Sequence, residues 1–267
     1  MTDLVLAETA ERIATITLNR PEARNAIDGD LLEQLVAAAA SAEADDEVDV
    51  LVLTGADPAF CAGLDLKAVG SGDPRLFDTR PRPDQAVRDR GPLPRLTKPV
   101  IGAINGAAIT GGFELALACD FLVASERARF ADTHARVGLQ PWWGLSVLLP
   151  QAVGVRRARE LSATGNFLDA QTAQAWGLVN HVVPHDDLLP AARRLAADIV
   201  SSDQSAVRRL FDTYADGALL AGGDAWLLEA QVAESWSAGV DPSGFEQRRQ
   251  AVTDRGRTQA QAASPRD

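Results

Sequence analysis

An α/β fold follows from three features of this sequence: short β-branched apolar runs in its first half, helical spacing between those runs, and helical spacing almost alone in its second half. Residues 3–7 and 12–18 (Arg-Ile-Ala-Thr-Ile-Thr-Leu) alternate in polarity and predict a strand pair turned at Ala10-Glu11, so a hairpin opens the fold. After a turn at Asn19-Arg20-Pro21, leucines, a valine and alanines recur at helical spacing from Asp28 to Ala44, with Asp28 or Asp30 placed to cap the helix. Val48–Thr54 is short and nearly continuously apolar, as a buried strand requires.

Residues 70–95 change character. Gly, Pro, Asp and Arg dominate with little periodicity, which predicts a long mobile surface loop that could cover a site. Val100–Ile104 is a second buried strand, followed by an Asn105-Gly106 turn and a small-residue helix from Gly111 to Cys119; Asp120–Ser125 is the next strand. From residue 154 helices take over. Ala170–Trp176 is one, Gly177 stops it, Leu178–Val183 is extended, and helices at about 186–201, 203–217, 222–237 and 242–254 follow. Residues 256–267 read as a disordered tail. The organisation expected is a core over 1–200, a helical region over 201–255, and that tail.

Composition narrows the function. The net charge of −11 opposes binding to phosphate backbones or anionic lipid surfaces, so neither nucleic acid nor membrane is an expected partner. The two cysteines, Cys61 and Cys119, form no CxxC pair, and the three histidines, His134, His181 and His185, lack metal-ligand spacing, so neither a disulfide scaffold nor a metal centre is expected. No apolar run approaches the ~20 residues that span a bilayer, and the N-terminus lacks signal-peptide character. A cytoplasmic protein is the expectation.

Two turns carry the chemistry. One holds Phe60-Cys61-Ala62-Gly63-Leu64-Asp65-Leu66-Lys67, the other Ile104-Asn105-Gly106 and, after Thr110, Gly111-Gly112-Phe113-Glu114. In each, glycine admits a tight backbone and a helix start presents unpaired N–H groups with partial positive charge. Such a pair suits a carbonyl oxygen that gains charge during reaction, where one donor is typically worth ~10²–10³ in rate. Either turn alone is better explained as a plain strand-to-helix connection.

Together, in this order, they resemble the enoyl-CoA hydratase/isomerase, or crotonase, superfamily. The resemblance begins at Leu18-Asn19-Arg20-Pro21-Glu22-Ala23-Arg24-Asn25-Ala26, continues through Ala62-Gly63-Leu64-Asp65 and Gly111-Gly112-Phe113-Glu114-Leu115-Ala116, and reaches Thr164-Gly165 and Gly177-Leu178-Val179. It implies a spiral of ββα units with C-terminal helices that form a homotrimer or a dimer of trimers, and an acyl-CoA thioester as substrate with no separate cofactor. It also implies an oxyanion hole from the amides of Leu64 and Gly111. CoA contacts are implied at Arg24, Ala62, Leu64, Asp65, Leu66 and Lys67, and at a C-terminal pair, Phe245 and Arg248, that approaches a neighbouring subunit's ligand. For the arginines a solvated surface charge is the competing reading.

Glu114 matches the first of the two acid/base glutamates of the family's hydratases, although a helix N-terminal acid is favoured there by the macrodipole in any case. The second glutamate position falls on His134. Imidazole exchanges protons near neutral pH, so a Glu114–His134 pair is competent, while a histidine that fills the pocket and bonds Asp132 is the plain alternative. Trp142 and Trp143 stand where many relatives have small residues; either they wall the acyl pocket, favouring short, flat or aromatic acyl groups, or they pack in the core. Gly144-Leu145-Ser146-Val147-Leu148 lacks the last glycine of a nucleophile elbow, and no dinucleotide or Walker pattern occurs. Hydration of an enoyl-CoA is the reaction expected, with isomerisation, thioester hydrolysis, decarboxylation, C–C cleavage or non-catalytic acyl-CoA binding as alternatives.

Overall fold

The structure, a computed structural model, describes residues 3–78 and 91–211, together with residues 214, 234, 243, 246, 247, 249, 250, 253, 254 and 257. The hairpin is present: β1 (Val5–Ala10) pairs antiparallel with β2 (Ile13–Leu18), Ala10 opposite Ile13. Its two turn residues are Glu11 and Arg12, both at positive φ, the twist that a two-residue hairpin demands. The turn therefore falls one residue later than expected. Arg12 is fixed there by Asp49, whose carboxylate accepts from its Nε at 2.5 Å and whose amide donates to its carbonyl at 2.8 Å.

Helix α1 (Gly29–Ala44) is capped by Asp28, which accepts from the Leu31 amide at 2.9 Å, and it buries Leu31, Leu32, Leu35 and Ala39. Its C-terminus is closed by the buried Lys98, whose ammonium donates to the carbonyls of Ala42 at 2.8 Å and Asp45 at 2.6 Å. A cation at that end also meets the negative pole of the helix.

The chain then makes the same move three times: a strand in a large sheet, a short strand in a small sheet, a helix. The first unit is β3 (Val50–Gly55), β4 (Ala59–Cys61) and α2 (Leu66–Gly70), followed by α3 (Arg75–Asp78). The second is β5 (Val100–Ile104), β6 (Ala107–Ile109) and α4 (Gly111–Ala118); the third is β7 (Phe121–Ser125), β8 (Arg129–Ala131) and α5 (His134–Val137). There follow α6 (Leu145–Val153), α7 (Val155–Thr164), β9 (Leu168–Asp169), α8 (Ala170–Ala175), β10 (His181–Val183) and α9 (Leu188–Val200). The large sheet runs β1-β2-β3-β5-β7-β10, parallel beyond the hairpin, and the small one β4-β6-β8-β9.

Strand β3 reads as continuously apolar because both of its faces are covered. Leu51 and Leu53 join the main core with Leu31, Leu35 and Phe113, whereas Val50 and Val52 pack with Leu188, Ala191, Ala192 and Ala196 of α9. Each such fully buried Leu or Val contributes about 1.5–3 kcal/mol by leaving water.

Three expectations need correction. The strands of the small sheet are two or three residues long, too short for periodicity to register; β4 and β6 fall in segments expected as turns, and β8 and β9 were not expected. Helices α5 and α6 precede residue 154, where helices were expected to take over; α6 even contains Pro150. The expected mobile loop over 70–95 is structured at its start, where Arg75 in α3 pairs with Asp73 at 2.8 Å and Asp30 at 2.5 Å. Residues 79–90 lie outside the described residues, as do most of the expected C-terminal helices and the tail; residues 204–211 are helical as expected.

Candidate active site

Each of the two glycine turns ends a strand of the small sheet. In the first, Gly63 has φ +95° and its carbonyl accepts from the Ile27 amide at 2.8 Å, while the Asp65 amide reaches the Ile27 carbonyl at 2.8 Å. The Leu64 amide between them has no acceptor among the described residues. In the second, Thr110 holds φ 55° and ψ −112°, a conformation unusual for a branched residue. Its amide donates to the Ala131 carbonyl at 2.9 Å and its hydroxyl meets that of Thr133 at 2.5 Å, and these contacts hold the strained link in place. Gly111 then begins α4, and its amide likewise has no acceptor among the described residues.

The turns face each other across one gap. A Cβ on Gly63 would lie 3.4 Å from the Gly111 nitrogen, and one on Gly111 would lie 3.5 Å from the Leu64 nitrogen. Gly112 makes this approach possible, since a Cβ there would stand 2.7 Å from the carbonyl carbon of Cys61. Cys61 itself is fully buried and burial pushes its thiol up to about 12, so it is inert.

Glu114, one turn into α4, is 2% exposed. Its Oε1 accepts from the backbone amides of Trp143 at 2.8 Å and Leu145 at 3.4 Å, which clamps the carboxylate to the start of α6. Its Oε2 faces His134 Nε2 at 3.5 Å. On the other side of the imidazole, Nδ1 lies 2.8 Å from Asp132 Oδ1, which also accepts from the His134 amide at 3.1 Å. Both ring nitrogens thus face carboxylate oxygens, an arrangement that only the doubly protonated ring satisfies. Burial alone would lower the imidazole, but the hydrogen bonds and charges of Asp132 and Glu114 prevail and push it up to about 10. Burial alone would raise the Asp132 carboxyl; His134, with the Ser162 hydroxyl, holds it below the usual range instead. His134 thus bonds Asp132, as the plain reading expects, and also lies against Glu114.

Trp143 is completely buried, and its ring lies 3.2 Å from where a Gly111 side chain would begin, beside the second glycine turn. Trp142 is buried in the main core. Among the described residues no group of three or more His, Cys, Asp or Glu side chains is arranged to hold a metal ion.

The sequence model of the family described as enoyl-CoA hydratase/isomerase matches residues 8–250 of this chain. The chain belongs to that family. It is 41% identical over 247 residues to the probable peroxisomal enoyl-CoA hydratase 1 of Arabidopsis thaliana, covering 91% of this chain and 90% of the relative. It is 34% identical over 208 residues to a crotonyl-CoA hydratase of Syntrophomonas wolfei, covering 76% and 78%. The crystal structure of an enoyl-CoA hydratase from Mycobacterium smegmatis superposes with a TM-score of 0.80 at 51% identity, covering 90% of this chain and all of that one (100%).

The remaining positions expected from the enoyl-CoA hydratase/isomerase resemblance gather around the first turn. Arg24 is exposed, and its carbonyl accepts from the Ala62 amide at 3.0 Å. Asp65 caps α2 by accepting from the Lys67 amide at 2.9 Å and pairs with Arg20 at 2.9 Å; Leu66 begins that helix and Lys67 is exposed on it. Phe245 and Arg248 lie outside the described residues.

Two groups that hold the site together were not singled out by sequence reasoning. Asn25, buried at φ 56°, accepts from the Arg20 amide at 2.9 Å and donates to the carbonyls of Ala56 at 2.8 Å and Ala59 at 2.7 Å, tying the turn after β2 to the entry of β4. Its signal was an asparagine in a turn, a residue that tolerates the left-handed region. Thr110 and Thr133 carry no sequence signal of their own, because their pairing depends on the register of β6 and β8.

Proposed function

We propose that the protein is an enzyme of the enoyl-CoA hydratase type, acting on an acyl-CoA thioester. The observation that carries this reading is the convergence of the Leu64 and Gly111 amides, neither with an acceptor among the described residues, beside the buried Glu114–His134 pair. With the thioester oxygen between the two amides, negative charge that develops there is stabilised without reorganisation. Glu114 takes a proton from water as the water oxygen adds to the β-carbon, and the resulting enolate is protonated at the α-carbon. These steps call on no metal or redox group, and coenzyme A enters as part of the substrate.

The Trp143 ring beside Gly111 favours a short, flat or aromatic acyl group over a long saturated chain. Arg24, Ala62, Asp65, Leu66 and Lys67, at the first glycine turn, bind the CoA moiety in this reading, with Phe245 and Arg248 supplied from the C-terminal region of an adjacent subunit in a trimer or dimer of trimers. No helix among the described residues is long and apolar enough to cross a membrane; cytoplasmic residence is part of this proposal. Incubation with crotonyl-CoA and mass analysis of the product test the function. A product heavier by one water supports hydration; a CoA-free acid would direct the reading to thioester hydrolysis, and an unchanged mass to isomerisation or non-catalytic binding, which the loss or retention of conjugated enoyl-thioester absorbance separates.

A further inference from the structure

Asp132 lies two residues before His134, in the turn between β8 and α5, and is 2% exposed. A buried carboxylate is costly unless compensated. Here the compensation comes from the His134 ring at 2.8 Å, the His134 amide at 3.1 Å and the Ser162 hydroxyl of α7. We propose that Asp132 is a positioning residue for proton transfer: by accepting the Nδ1 proton of His134 it turns Nε2–H toward Glu114 and keeps the ring cationic, so that His134 is the acid partner of Glu114.

This inference rests on the hydratase reading and specifies its proton path. Glu114 removes a proton from water while the water oxygen bonds to the β-carbon, and the C=C electron pair moves through the α-carbon to the thioester oxygen between Leu64 and Gly111. His134 Nε2–H then protonates the α-carbon as the enolate collapses, leaving a neutral imidazole and a protonated Glu114. The proton returns from Glu114 Oε2 to Nε2 across the 3.5 Å that separates them. The net change is one water added, with both groups restored. Asp132 stays ionised throughout and touches no substrate.

Among the described residues, the charged groups facing the ring are Glu114 from α4 and Asp132 from the preceding turn. Arg136, on the same short helix as His134, points away and donates from Nε to the Thr164 carbonyl at 2.7 Å. The segment entering α6 offers Trp143, which is not ionisable, so no cation in the described shell opposes the imidazolium.

The chain has three histidines, so nitrogen-15 imidazole spectra of the full-length protein contain few signals, and His134→Gln assigns the one of interest. Between about pH 6 and pH 9, the range that brackets ordinary imidazole titration, wild-type His134 is expected to stay doubly protonated. In Asp132→Asn the same signal is expected to titrate within that range, and the alkaline limb of the kcat/KM profile to move down by about one pH unit or more. A wild-type His134 that is neutral at about pH 7 overturns the inference without any variant. So does a folded Asp132→Asn whose His134 signal and pH profile match wild type. A cationic His134 in a protein that hydrates no enoyl-CoA would refute the hydratase reading and leave the Asp132–His134 pairing standing, so the two failures are distinct.

Discussion

Gly112→Ala is expected to perturb the proposed oxyanion hole without altering a side chain proposed to act there. The added Cβ would run into the Cys61 carbonyl oxygen and stand 2.7 Å from the carbonyl carbon of Cys61 and 2.8 Å from its Cβ. Ordinary carbon contacts begin near ~3.5 Å, so α4 and the end of β4 must part by roughly 1 Å. Overpacking of this kind costs typically ~1–3 kcal/mol of stability. The larger effect is on geometry, because the Leu64 and Gly111 amides ride on the two elements that separate. A displacement of ~1 Å in a positioned constellation costs on the order of 10² in rate. Thermal denaturation beside steady-state enoyl-CoA hydration reads both quantities. A variant that keeps wild-type kcat while folding normally would refute the claim that the contact between Gly112 and Cys61 sets the spacing of the two donors.

Glu114→Gln keeps an acceptor for the Trp143 amide and loses the proton acceptor, so turnover should fall about 10²–10⁴-fold, with some loss of melting temperature because the buried His134 loses one of its two carboxylate partners; Glu114→Ala should add a further stability loss of ~1–3 kcal/mol, seen in denaturant unfolding, because the Trp143 and Leu145 amides lose this acceptor. Trp143→Phe removes ring area beside Gly111, so the kcat/KM ratio for octenoyl-CoA over crotonyl-CoA should rise; an unchanged ratio would remove Trp143 from the acyl pocket. His134 has a folded-state value raised to about 10. Its contribution to stability is therefore complete below the unfolded value of ~6.5 and is lost as pH rises through the folded one. Wild-type melting temperature should decline across that alkaline window, whereas His134→Gln should show a flatter curve.

The parts of the fold that were legible in the sequence are those whose burial imposes a pattern of useful length. Strand β3 and helix α1, with its Asp28 cap, fall within two residues of expectation because each runs for six residues or more against a packed core. The small sheet was not legible, since strands such as Ala107–Ile109 are defined by partners far away in sequence and carry no periodicity of their own. At the site, Leu64, Gly111, Glu114 and His134 were all named from two glycine turns and a resemblance, and the structure gathers them. Its supports were less visible. An asparagine in a turn marks Asn25 locally, but its bonding partners lie more than thirty residues away, and the Thr110–Thr133 contact depends on strand register and leaves no local signature. Asp132 was noticed only as a neighbour of His134, although its carboxylate decides what that ring can donate.

The most direct test of the central claim is the loss of conjugated enoyl-thioester absorbance when crotonyl-CoA is mixed with wild-type protein, run beside Glu114→Gln and His134→Ala. Robust loss with wild type that both variants abolish, with CoA-ester binding retained, is the result predicted here. Measurable binding of crotonyl-CoA by wild type with no loss of absorbance would contradict it.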